Sequence, residues 1–205
     1  TKDRQLTGQH RDTSQDSHHD LPRLEHAMDR LVSIELVPFR AAIDAGVAAI
    51  MSAHLIFAPI DGERPATLSR PVLDGLLRRR LGFDVPIVSD AMEMKAIADH
   101  FGFADAVVRG ADAGIDLFMV CHSAAQQNEA IDVLVKAVER GTLSRGRLAD
   151  AGRRLDVLFD GYVKPPRRGP LPDRIGSPDH RAIAERVIQV VDAAALAVGH
   201  DPTEP

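Results

Sequence analysis

Val85-Pro86-Ile87-Val88-Ser89-Asp90 is the stretch that decides the fold. It is short, mostly apolar and closed by an acid, so it reads as a buried strand, Val85–Ser89, with Asp90 directly after it. Before it, Ser69-Arg70-Pro71 starts a helix: Ser69 serves as N-cap and Pro71 belongs in the first turn. That helix runs to about Leu81 and stops at Gly82. After it, helical periodicity runs from about Met94 to Ala113, broken near Gly102, and Gly114 opens the strand Ile115-Asp116-Leu117-Phe118-Met119-Val120. An amphipathic helix over Gln126–Arg140 ends at Gly141, and Ser144 caps another to about Phe159.

Further upstream, Val47-Ala48-Ala49-Ile50-Met51-Ser52 is a short apolar run after Gly46, again a buried strand. Leu24, Met28, Leu31, Val32 and Leu36 recur at helical spacing, Pro38 interrupts, and a short helix covers Phe39 to Ala45. Helices therefore alternate with three short apolar strands, the signature of an α/β fold with a parallel sheet. No Gly-x-Gly-x-x-Gly follows a strand, so a dinucleotide-binding fold and its cofactor have no support, and no cofactor is expected. A (β/α)8 barrel needs about 250 residues. Three strands cannot close one, so the expectation is a partial (β/α)8 TIM barrel made of C-terminal strands and helices, over residues 1–161. Residues 162–205 are a proline-rich linker, Pro165-Pro166-Arg167-Arg168-Gly169-Pro170-Leu171-Pro172, and a terminal helix from Asp179 to about Ala197.

Composition bounds the function classes. Of 205 residues, 44% are apolar and 27% charged, ordinary globular values, and the net charge of −5 argues against a nucleic-acid partner. The one basic run, Arg78-Arg79-Arg80, belongs near a helix C-terminus, where cations suit the dipole. The single cysteine, Cys121, excludes an intramolecular disulfide and favours a reducing, cytoplasmic compartment, with an exported form as the alternative. No apolar run approaches the ~20 residues of a membrane span. Aromatic residues are only 4%, so an aromatic sugar-stacking face is not available.

The chemistry-bearing residues fall at strand ends and in one polar loop. Asp90 sits where parallel folds build their sites, at a strand C-terminus, as a nucleophile or metal-ligand candidate; the alternative is a helix N-cap. His54 ends the strand before it, and the same logic turns it toward the site as a substrate contact; a satisfied structural histidine is the other reading. His122 and Cys121 follow the third strand with no activating partner in view. Asp12-Thr13-Ser14-Gln15-Asp16-Ser17-His18 is a polar loop, and its Asp16 carboxylate can meet the His18 imidazole, fix its tautomer and raise its pKa. His19 and Asp20 adjoin them, but adjacent histidines rarely make a zinc site, and no metal is expected.

These residues resemble glycoside hydrolase family 3, in its β-N-acetylglucosaminidase branch. Asp12 to Pro22 is similar to the family's mobile catalytic loop, roughly G-H-G-D-T-x-x-D-S-H-x-x-L-P. Glu35-Leu36-Val37-Pro38-Phe39 matches E-L-x-P-F, Met51-Ser52-Ala53-His54 matches M-[ST]-A-H, and Arg64-Pro65-Ala66-Thr67-Leu68-Ser69 matches R-P-A-T-x-S. Val88-Ser89-Asp90-Ala91-Met92-Glu93-Met94 matches [VFI]-[ST]-D-[AD]-[LM]-x-M. The resemblance implies a (β/α)8 barrel and a retaining hydrolase that removes terminal β-linked N-acetylglucosamine from muropeptide- or chitin-type amino-sugar oligosaccharides. It implies Asp90 as the nucleophile, His18 as the acid/base and Asp16 as its partner. A phosphorolytic variant and a degenerate, non-catalytic homologue stand as alternatives. The family's K-H-F-P-G-H-G is replaced by Gln5-Leu6-Thr7-Gly8-Gln9-His10-Arg11, where only His10 agrees, so the sugar-holding Lys-His pair is absent. The expectation is a chain with little activity alone, completed by an N-terminal half-barrel.

Overall fold

The computed structural model describes residues 21–163 and 176–198, with side chains up to residue 190. The chain divides into two units, Thr1–Val163 and Lys164–Pro205. In the first, β1 (Arg23–Leu24) leads to a helical segment made of α1 (Met28–Arg30), a π-type turn (Leu31–Glu35) and α2 (Leu36–Asp44). β2 (Ile50–Met51), β3 (Ile56–Phe57), a 3-10 turn (Ala66–Leu68) and a π-type helix (Pro71–Arg80) follow. β4 (Ile87–Ala91), α3 (Lys95–Phe101), α4 (Phe103–Ala113), β5 (Leu117–Met119), α5 (Ala124–Glu139) and α6 (Arg145–Tyr162) complete it. The second unit holds α7 (Pro178–Val198).

The three strands read from the sequence are β2, β4 and β5. They form one parallel sheet in the order β2-β4-β5, as their apolar composition demands. Two further strands escape the sequence reading: β1 and β3 pair in parallel as a second sheet. Both are two residues long, too short for any periodicity to register. Leu24 accordingly lies in a strand, where helical spacing had placed it at a helix start.

Pro38 does not end its helix as expected; it lies inside α2. The preceding turn is widened instead, and the Leu36 N–H reaches the Leu31 carbonyl, five residues back. Widening is how a helix accommodates a ring that removes one N–H and crowds the carbonyl four residues earlier.

Helices pack over the β2-β4-β5 sheet on apolar clusters. Ile50, Ile87 and Ile115, on or beside the sheet strands, meet Leu73 and Leu77 of the Pro71–Arg80 helix, with Phe39 and Ile43 of α2 against them. Met92, Ile97, Ala106, Val107 and Ala130 form a second cluster among the loop after β4 and α3, α4 and α5. Each large side chain so buried contributes about 1.5–3 kcal/mol. Gly114 has φ +136°, and a Cβ there would sit 3.2 Å from the Leu73 Cβ; only glycine lets the chain turn into β5 this close to the helix.

Beneath the sheet lies a charged hub. The Asp116 side chain is fully buried, and its Oδ2 accepts from Arg78 at 2.5 Å and from the Ile87 N–H at 3.0 Å. Its Oδ1 accepts from Arg147 at 3.0 Å and Arg154 at 3.5 Å. Arg78 also donates to the Phe83 and Val85 carbonyls, and Arg147 to those of Ala111 and Ile115. Arg78 thus turns inward rather than only meeting a helix terminus, while Arg79 pairs with Asp74 and Arg80 stays exposed. Burial pulls the Arg78 guanidinium below its ordinary value, and Asp116 opposes that pull.

Removing one partner of a buried charged network strands the others. Asp116→Asn is expected to lower stability by about 3–5 kcal/mol in urea unfolding. Asp84, whose carboxylate is 69% exposed although Arg154 holds it by a 2.8 Å bond, serves as the control. Asp84→Asn is expected to cost less than about 1 kcal/mol in the same measurement.

Candidate active site

Because β2, β4 and β5 are parallel, their C-terminal ends lie on one side of the sheet. Asp90 is the fourth residue of β4, inside the strand rather than after it. The ladder with β5 slips there: Val88 pairs with Leu117 and Ala91 with Met119, three steps on β4 against two on β5. This is a β-bulge at Ser89-Asp90, a device that bends a strand and re-aims a side chain. Ser89 fills the gap, since its fully buried hydroxyl accepts the Met119 N–H at 2.9 Å. The half-buried Asp90 keeps one oxygen, Oδ1, on the Ala91 N–H at 2.8 Å, and Oδ2 has no partner among the described residues. A carboxylate held at one oxygen and free at the other is prepared to attack or to ligate.

His54, expected from its strand end as a substrate contact, has its side chain turned into the protein. Its ring is fully buried and both nitrogens are taken: Nε2 bonds the Ala91 carbonyl at 2.9 Å and Nδ1 the Thr67 hydroxyl at 2.9 Å. The Thr67 hydroxyl in turn lies 3.0 Å from that of Ser52, and all three residues are buried. Burial lowers the His54 pKa, against the opposing effects of the Ala91 carbonyl bond and the Asp90 charge, and so favours the neutral ring. Thr67 and Ser52 were not singled out from the sequence: Ser52 lies two residues before His54 and Thr67 thirteen after it, a separation that leaves no local pattern.

Glu93 lies in the loop after β4. Its Oε1 accepts the His122 N–H at 2.9 Å, which ties the loop after β5 to the loop after β4. The His122 side chain is 80% exposed and Cys121 is exposed, so neither is gathered into this cluster. The loop Asp61–Ser69 is braced from within: Asp61 accepts from the Ser69 hydroxyl at 2.8 Å and from the Glu63 and Arg64 N–H groups. Asp16 and His18, with His19 and Asp20, lie outside the described residues. Among the described residues no group of His, Cys, Asp and Glu could hold a metal ion, and no helix is long and apolar enough to cross a membrane.

The neutral, buried His54 makes stability pH-dependent with a definite sign. Its folded pKa lies below the unfolded value of about 6.5. The unfolded chain therefore binds the proton more readily, and stability is lost as pH falls below that value. His54→Gln, which keeps an N–H donor and cannot titrate, is expected to flatten the fall in denaturation midpoint between about pH 7 and pH 5.

Residues 8–158 match the family described as the glycosyl hydrolase family 3 N terminal domain. A β-hexosaminidase of Thiobacillus denitrificans is 37% identical over 133 residues, 63% of this chain and 37% of that protein. One from Stenotrophomonas maltophilia is 34% identical over 161 residues, 78% of this chain and 46% of that protein. The solved structure of a family 3 β-N-acetylglucosaminidase from Paenibacillus sp. is similar with a TM-score of 0.77 and 41% identity, covering 80% of this chain and 31% of that one. The chain thus spans less than half the length of these relatives. With a match over most of its length, an α/β architecture and an acid at the bulged end of a parallel strand, the chain belongs to glycosyl hydrolase family 3.

Proposed function

We propose that the chain carries the nucleophile-bearing part of a retaining β-N-acetylglucosaminidase, built as the C-terminal strands and helices of a (β/α)8 barrel. The observation that carries this reading is Asp90: half-buried, at the bulged end of β4, with Oδ1 held by the Ala91 N–H and Oδ2 without a partner among the described residues. The relatives named β-hexosaminidase and β-N-acetylglucosaminidase point to a terminal β-linked N-acetylglucosamine as the sugar cleaved, in muropeptide- or chitin-type oligosaccharides.

In this reading the Asp90 carboxylate attacks the anomeric carbon and the glycosidic C–O bond breaks. The His18 imidazolium gives its proton to the departing oxygen, and a glycosyl-enzyme ester forms. Neutral His18 then takes a proton from water, whose oxygen attacks the same carbon and releases Asp90. Two inversions give net retention. Asp16 holds the His18 tautomer and stabilises the imidazolium. A histidine suits the task because its proton is exchangeable near neutral pH, where an ordinary carboxylic acid has already lost its own. The further strands of a (β/α)8 barrel and the family's sugar-holding Lys-His pair would come from an N-terminal half-barrel, on the same polypeptide or another.

The test is turnover of a chromogenic β-N-acetylglucosaminide by the chain alone and mixed with the N-terminal half-barrel of a relative. Turnover is expected on complementation, with little from the chain alone. Asp90→Ala is expected to lower kcat by about a thousandfold or more, and His18→Ala by about a hundredfold to ten-thousandfold. An unchanged rate in Asp90→Ala refutes the nucleophile assignment.

A further inference from the structure

The Asp90 carboxylate is oriented by a peptide that is itself clamped. The Ala91 N–H holds Asp90 Oδ1 at 2.8 Å. The next peptide, between Ala91 and Met92, is bonded on both sides: its N–H reaches the Met119 carbonyl at 3.0 Å, and its carbonyl takes the His54 Nε2 at 2.9 Å. Ala91 therefore has little freedom to rotate, and its N–H is aimed. The β5 bond is ordinary sheet structure. The His54 bond is not: it comes from the loop after β2, through a fully buried ring.

The protons along this chain of groups can be assigned. A carbonyl only accepts, so Nε2 carries a hydrogen and donates to Ala91. In a neutral ring Nδ1 then accepts, and the Thr67 hydroxyl must donate to it at 2.9 Å. The Thr67 oxygen is left to accept from Ser52 at 3.0 Å. With the ring neutral, the other tautomer would leave the bare Nε2 facing the Ala91 carbonyl, and turning the Thr67 hydroxyl away would leave Nδ1 without a donor, each an unmet acceptor in a buried site.

We propose that His54 is a positioning residue for Asp90: held in its Nε2–H tautomer by Thr67 and Ser52, it anchors the Ala91 carbonyl and so sets the direction of the carboxylate. The proposal rests on the reading of Asp90 as nucleophile for its consequence in catalysis, but not for its geometry. The reacting atoms of a displacement must lie within a narrow range of distance and angle, and a displacement of about 1 Å costs about a hundredfold in rate. A ring fixed at both nitrogens, tying β2 to β4, supplies that stiffness on the strand where the bulge has taken one ladder bond away.

The test is nuclear magnetic resonance of the full chain with labelled histidine and aspartate, on the wild type and on His54→Gln, His54→Leu and Thr67→Val. The wild type is expected to show His54 neutral with the hydrogen on Nε2. In His54→Leu and Thr67→Val the Ala91 amide and the Asp90 Cγ resonances are expected to shift while Ile115 stays in place, and His54→Gln is expected to restore them. Thr67→Val, close to isosteric, keeps the test open if His54→Leu does not fold. In the complemented turnover assay kcat is expected to fall about tenfold to a hundredfold in His54→Leu at unchanged KM, with partial recovery in His54→Gln. A hydrogen on Nδ1, unmoved Asp90 and Ala91 resonances, or equal losses in His54→Leu and His54→Gln would each overturn the proposal. Full activity in Asp90→Ala would instead overturn the nucleophile reading and leave the resonance result standing.

Discussion

The buried carboxylate of Asp116 is the interaction on which the first unit depends. One side chain at the start of β5 collects arginines from the Pro71–Arg80 helix and from α6, together with the N–H that opens β4. A charge with no solvent is tolerable only when its partners surround it. Those partners are fixed to different elements, so satisfying one carboxylate also fixes how two helices sit on two strands. The apolar clusters above it supply most of the favourable free energy, but they are non-directional. The hub supplies register.

The sheet therefore has two differently built ends. At its base, charges lock the strands to the helices. At the C-terminal end, the fastening is neutral: Ser52, Thr67 and His54 pass a line of hydrogen bonds from β2 to the peptide after Asp90. That contrast has a chemical logic. If Asp90 is the nucleophile, as proposed above, a cation buried behind it would pair with the carboxylate and reduce its nucleophilicity, whereas a neutral imidazole would leave the charge available. Between the two ends the bulge at Ser89-Asp90 turns an acid that strict alternation would send to one face of the sheet.

The parallel sheet was legible because each strand needed enough apolar residues to be buried on both faces, and helices separated them. The Ser144 cap and the Gly114 and Gly141 stops were legible for the same local reason, since capping and left-handed backbone leave marks at single positions. Other features left no local mark. β1 and β3 are stretches of two residues that exist because each is the other's partner. Pro38 looked like a helix end because its effect was read on one residue, while the chain absorbed it by widening the turn before it. Arg78 looked like a terminal charge because its partner lies 38 residues away.

The sequence by itself determined the alternation of elements, the acid at a strand end and the motifs that mark the family. Those properties are set by side-chain type and by spacing along the chain, and a short window contains them. Only the tertiary structure decided that Asp90 lies within a bulge, that His54 meets the Ala91 carbonyl, and that Asp116 gathers three arginines. Each of these depends on which distant group satisfies a buried donor or acceptor. Buried polar groups must find partners, but nothing in the neighbouring residues says which partners those are.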